Sequence, residues 1–162
     1  MSETFAADDI LLQVTPRLPL EEVWNSLTRP EHLEKWLAPR VRVEPREGGA
    51  FELFWDKDGT SQNSTQGCRI VKFQEPETIV FTWKGPPRFA DLMDQSPAPT
   101  QVHLTVSPCP EGIDVTLEHK GWGAGERWET ARSWHFHYWE ETLHRFREYV
   151  MTGELPAPPT RE

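Results

Sequence analysis

One stretch constrains this chain more than any other. From Trp128 to Val150 the residues follow a helical pattern whose apolar stripe is broken by two polar residues aimed inward. With Trp139 at the centre of the buried face, Trp128, Phe136, Leu143, Phe146 and Val150 fall within about 60° of it. Arg132 and His135 fall there too. The later half of the stretch is a plain core face, while the earlier half sets a guanidinium and an imidazole beside that core. Buried charge is costly unless it is paired or lines a wet or ligand-filled pocket. The pattern therefore predicts a long helix closing a hollow.

The rest of the chain alternates between the two periods. Residues 10–15 read as a strand, and Leu20, Val23, Trp24 and Leu27 recur at helical spacing. A second short helix follows, with Thr28 and Glu31 spaced as a capping box, Pro30 in the first turn, and Leu33, Trp36 and Leu37 on the buried face. After Pro39 the pattern becomes strand-like. Val41 and Val43 alternate with charged residues, Gly48-Gly49 makes a turn, and Phe51, Leu53 and Trp55 alternate again. The polar run 56–64, centred on Gly59, is expected to be a hairpin tip. Residues 66–74 and 78–83 read as two strands split by Glu75-Pro76-Glu77, and 101–107 and 113–119 as a last hairpin. The count is about seven strands, two short helices near the front and one long helix at the back.

The last hairpin can be registered from its own hydrophobic pattern. Pairing Val106 with Val115 and Leu104 with Leu117 leaves Cys109-Pro110-Glu111-Gly112 as the loop. Val102 then faces His119 on the inner side, and His103 faces Glu118 outside. His119 thus joins Arg132 and His135 as a third polar group directed at the interior. Residues 84–100 form a long connection in which Phe89, Leu92 and Met93 have helical spacing. Two readings stay open for it: a lid over an opening, or a mobile loop.

A length of 162 residues suits one domain, 1–151, followed by a flexible Pro-rich tail over 152–162. Eight Trp and eight Phe supply large apolar area. A net charge of −9 argues against nucleic acid or an anionic membrane as partner. The start MSETFAADDI has neither a basic nor an apolar region of the secretory kind, and no apolar run suits a membrane span. Cys68 and Cys109 form no metal or redox spacing. The expectation is a reduced, cytoplasmic protein in which the Asn63-Ser64-Thr65 sequon is inert.

The element order is that of a helix-grip fold, and four segments strengthen it. "PLEEVWNSLTRPEHLEKW" from Pro19 to Trp36, "EGGAF" from Glu47 to Phe51, "GCRIVKFQEPETIVFTW" from Gly67 to Trp83, and "YWEETLHRFREYV" from Tyr138 to Val150 resemble the homologues of the activator of the heat-shock protein 90 ATPase. That family usually has Gly-Trp where this chain has Tyr138-Trp139. The resemblance places the chain in the START-like superfamily, which includes the birch-pollen-allergen-like proteins. It implies an α+β architecture: a curved antiparallel sheet of six or seven strands wrapped around a long C-terminal helix, two short helices after the first strand, and a cavity between sheet and helix. Superfamily members bind lipids, sterols, hormones or polyketides, and some catalyse cyclisation or dehydration. Fold alone does not choose among these.

Candidate lining residues are weighed against plain core. Trp24, Trp36, Phe51, Trp55, Phe81, Trp83, Trp128 and Trp139 are the aromatic candidates, of which Trp36, Trp83 and Trp139 look structural by family position. The ligand set is taken as Arg132, His135, His119, Trp128, Trp55 and Phe81, with Phe89, Leu92 and Met93 as the lid. Arg132 suits a ligand carboxylate or hydroxyl, or alternatively snorkels to solvent or pairs with Glu129 or Glu118. Each histidine suits a ligand hydrogen bond or acid–base work, or is a core histidine satisfied within the fold. His135 and His137 point apart on a helix, so no metal site is expected, and no cofactor. Trp134 lies far round from the buried face and marks either a dimer contact or a lone exposed aromatic. The leading expectation is a binding protein, monomer or homodimer, for a small hydrophobic or amphipathic molecule. The alternatives are a chaperone-interaction module and an enzyme of cyclase or dehydratase type.

Overall fold

Period-two alternation builds most of the molecule, and the computed structural model describes residues 9–57, 62–95, 98–154 and 159–161. The strands are β1 (Ile10–Val14), β2 (Arg40–Val43), β3 (Phe51–Phe54), β4 (Ile70–Gln74), β5 (Thr78–Thr82), β6 (Gln101–Cys109) and β7 (Gly112–Lys120). The helices are α1 (Leu20–Thr28), α2 (Pro30–Trp36), α3 (Pro87–Met93) and α4 (Glu126–Thr152). Five strands pair in the order β1-β7-β6-β5-β4, all antiparallel, and β2 pairs with β3. Backbone bonds from Phe51 N to the Cys68 carbonyl (2.9 Å) and from Ile70 N to the Gly49 carbonyl (2.8 Å) tie that pair to the chain entering β4. The expected tip at Gly59 lies outside the described residues.

The register of the last hairpin is the one the pattern predicts, with Val106 opposite Val115, Leu104 opposite Leu117 and Val102 opposite His119. Pairing runs further than expected, to Cys109 opposite Gly112. The connection is therefore the two residues Pro110-Glu111, not four. Alternation then buries Val102, Leu104, Val106, Val115, Leu117 and His119 on one face. Each fully buried aliphatic there contributes roughly 1.5–3 kcal/mol over leaving it in water.

α1 and α2 form where the spacing places them, but their junction differs from the expected capping box. Thr28 closes α1, and its hydroxyl donates to the Trp24 carbonyl at 2.9 Å. Arg29 is the N-cap of α2, with no side-chain cap bond. A hydroxyl turned back along its own helix is spent and cannot cap the next one.

α4 runs against the concave side of the sheet and ends at Gly153, whose φ of +80° and N–H to the Tyr149 carbonyl (2.6 Å) form a left-handed cap. Its buried face comprises Ala131, His135, Tyr138, Trp139, Thr142, Leu143 and Phe146. Trp128, Phe136 and Val150, expected at the centre of the stripe, are half-buried instead. The face is rotated toward Tyr138 because more than the sheet covers it. α3, formed within the 84–100 connection, lays Phe89 against Trp134 and His135 at ring distances of 6.0 and 6.3 Å. Trp134, expected on the open side, is therefore half-buried and stacks on Tyr138 at 5.4 Å. The described end of the tail also returns to the body rather than hanging free: Pro159 and Arg161 are buried.

Candidate functional site

Trp83, just past β5, stands at the centre of the interior. Its ring lies within 6.5 Å of those of Trp55, Phe81, His119, His135, Tyr138 and Trp139. Strand alternation delivers His119 to this cluster and helix periodicity delivers His135, and the two imidazoles meet at 5.4 Å.

Both histidines are fully buried, and both use both ring nitrogens. Trp83 donates its indole N–H to His135 Nε2 at 3.1 Å, so Nδ1 carries the proton and donates to the Ala131 carbonyl at 2.7 Å. Trp139 donates to His119 Nδ1 at 3.0 Å, so Nε2 carries the proton toward Thr100 Oγ1 at 2.9 Å. Indole donors facing nitrogens require neutral rings. Burial, the largest influence on each, pulls His135 down to about 3 and His119 well below its ordinary range. The two histidines proposed from sequence as ligand or acid–base groups thus sit where the core-histidine reading puts them.

A cation enters the same interior from the far end of the chain. Arg161 is 1% exposed. Its Nε donates to Asn63 Oδ1 at 2.8 Å, Nη1 to the Lys84 carbonyl at 2.7 Å, and Nη2 to the carbonyls of Ser64 (3.4 Å) and Gly85 (3.3 Å). Asn63 Nδ2 in turn donates to the Arg161 carbonyl. The guanidinium carbon lies 4.1 Å from the centre of the Trp55 ring and 5.4 Å from that of Trp83. Burial lowers its pKa to about 10, which leaves it charged at neutral pH. Burial raises the Tyr138 phenol to about 12, with the nearby guanidinium opposing, and raises the Cys68 thiol and the Asp94 carboxyl. A cleft of about 330 Å³ runs outward from Arg161 past Thr160, Tyr138, Trp134, His137 and Glu141.

The other expected site residues separate. Arg132 and Trp128 share a cleft of about 250 Å³ with Trp122 and Gly123, at the start of α4 and outside the histidine cluster. Gly123 is required there, since a Cβ would lie 2.5 Å from the Trp128 ring. Trp122 divides that cleft from the core: its N–H donates to the His119 carbonyl at 2.8 Å, and its ring lies 4.4 Å from His119 and 5.1 Å from His135. Trp55 is in the socket around Arg161, with its own N–H lacking a partner among the described residues. Phe81 is packed away from both clefts, stacked on Phe51 at 3.8 Å. Of the lid residues, Phe89 and Met93 are buried and Leu92 half-buried, and Arg127 clasps their helix to α4 through both carboxylate oxygens of Asp91 at 2.8 and 3.1 Å.

Sequence reasoning missed Trp122, Tyr138, Asn63 and Arg161. Tyr138 was visible as a departure from the Gly-Trp of the resembling family. Arg161 carried no local signal, because its partners lie 76 to 98 residues away.

A curved antiparallel sheet closed by one long helix defines the helix-grip class. Within it the chain belongs to the Activator of Hsp90 ATPase homolog 1-like family, which matches residues 17–151. No curated protein matches the sequence. Solved structures of the same fold include MLL2253 from Mesorhizobium loti, with 20% identity, a TM-score of 0.71, and 91% of this chain and 99% of that one covered. The Aha1 dimer from Colwellia psychrerythraea has 14% identity and a TM-score of 0.67 over 90% of this chain and 97% of that one. CalU16 from Micromonospora echinospora has 21% identity and a TM-score of 0.65 over 91% of this chain and 77% of that one. Among the described residues no helix is long and apolar enough to cross a membrane.

Proposed function

We propose that this protein binds a small amphipathic molecule between its sheet and α4. The observation that carries this reading is Arg161, a polar group from outside the sheet–helix framework seated among Trp55, Trp83 and backbone carbonyls. An interior that holds a charged planar group in this way combines apolar faces with a few placed acceptors, the chemistry of a ligand site. The cleft beside Arg161 gives a guest an approach to that interior, and the cleft beside Arg132 is a separate surface site. In the second, Arg132 offers a fork for a carboxylate or hydroxyl against Trp128. Acid–base use of His119 or His135 is not part of the proposal, because neither ring has an open nitrogen.

Native mass spectrometry of the protein from its own host, against a denatured control, tests the reading. A bound small molecule lost on denaturation supports it. A bare mass, together with unchanged amide spectra across fatty acids, sterols and aromatic polyketide-like probes, overturns it.

Family membership favours a second reading, a chaperone-interaction module. It predicts a complex with the heat-shock protein 90 middle domain and raised ATPase turnover. Unchanged turnover at saturating protein removes it.

A further inference from the structure

We infer that the pocket around Arg161 is a binding site selective for guanidinium compounds, filled in cis by this chain's own arginine. The inference deepens the small-molecule reading, on which it rests, by naming a ligand class for one part of the interior.

Two segments supply the site: the residues after β3 give the Trp55 ring, Asn63 Oδ1 and the Ser64 carbonyl, and the residues after β5 give the Trp83 ring and the Lys84 and Gly85 carbonyls. All the polar contacts to the fork are acceptors, and they surround Nε, Nη1 and Nη2. A planar, delocalised, weakly hydrated cation matches that arrangement, with donors in its plane and a ring against its face. A primary ammonium does not. Its donors are tetrahedral, its hydration is stronger, and it offers no flat face to Trp55. Carbonyl dipoles and ring quadrupoles oppose the desolvation of the cation, and the Asp94 and Asp56 carboxylates also favour its charged form.

The occupant comes from outside the framework that builds the site. The family match ends at residue 151, and α4 ends at Thr152, whereas every contact above is made by a residue before 86. Removing the Arg161 side chain thus empties the site without removing any wall. A free guanidinium compound of matching length then has acceptors and rings waiting.

Arg161→Ala keeps the Cβ and deletes what ethylguanidinium supplies. The variant is expected to melt below wild type. Ethylguanidinium at about 10 mM should raise its Tm by about 2–4 °C, with a saturable change in Trp emission. Ethylammonium at the same concentration should not, and the wild type should respond to neither. Arg161→Lys should melt close to Arg161→Ala. Equal responses to the two cations, or none from the alanine variant, would overturn the site. If the alanine variant does not fold, the unmodified protein still decides the matter. Arg161 Nε–H should give a ring-shifted proton resonance that exchanges slowly with water, and an unshifted, rapidly exchanging resonance refutes occupancy. Loss of rescue with amphipathic probes still bound removes only the cation site, and rescue without such binding removes only the broader reading.

Discussion

The indole of Trp83 and the imidazole of His135 are joined by a 3.1 Å hydrogen bond in which the tryptophan is the donor. Because Nδ1 already faces the Ala131 carbonyl, that bond fixes the tautomer and leaves no site for a second proton. His119 is held in the same way by Trp139 and Thr100.

This arrangement predicts how stability depends on pH. The unfolded chain binds a proton on each histidine below about 6.5, while native His135 resists until about 3 and His119 is also depressed. The unfolded state therefore holds more protons between these limits, and stability is lost as pH falls. The slope should be about 1.4 kcal/mol per pH unit for each histidine below 6.5, and near zero from these groups above it. Urea titrations between pH 7.5 and 5 check this, with His135→Leu expected to reduce the slope. A flat profile would contradict the neutral assignment.

Trp83→Phe removes the donor and some volume, leaving His135 Nε2 a buried acceptor without a partner. A loss of about 2–4 kcal/mol is expected. Adding His135→Leu should cost less than the sum of the two single changes, because the stranded acceptor is then gone. Additive losses in a double-mutant cycle would mean that the hydrogen bond carries little.

Much of this architecture is legible in the sequence, and the exceptions share a cause. The Val106–Val115 register and the inward turn of His119 follow from local alternation, which the pleat enforces. Helical periodicity likewise brings His135 and Trp139 to one face. What it cannot supply is the width of that face. Tyr138 is buried because Trp55, Trp83 and Arg161 lie on its side of the helix, and none of these is written in residues near Tyr138. Thr28 shows the same limit on a smaller scale, since its hydroxyl had two partners within reach and the spacing did not choose between them.

Arg132 is half-buried beside Trp128 and away from the histidines. Arg132→Ala should change folding stability by no more than about 0.5 kcal/mol. If its fork holds an anionic group of the ligand, the same change weakens that ligand by about 1.5–3 kcal/mol. Calorimetry on the variant with whatever molecule native mass spectrometry recovers separates these outcomes, and unchanged affinity ends the anchoring role.

The Arg127–Asp91 clasp is exposed, so its effect should be local. Asp91→Asn is expected to speed amide exchange in α3 while leaving the global melting temperature nearly unchanged. The same acceleration should appear in the wild type at high salt. Unaltered α3 exchange would show that Phe89 packing alone secures the helix.

The bond between Arg161 and Asn63 spans 98 residues of chain and joins a residue beyond α4 to the region between β3 and β4. Its partners follow β3 and β5 and come together only once those strands are in place, so the contact is expected to form late in folding. Interactions absent from the transition state act on escape and not on arrival. Loss of this arginine should thus leave the refolding limb of a chevron where it was and steepen the rate at which the native molecule comes apart. Its contribution is to how long the fold lasts once formed.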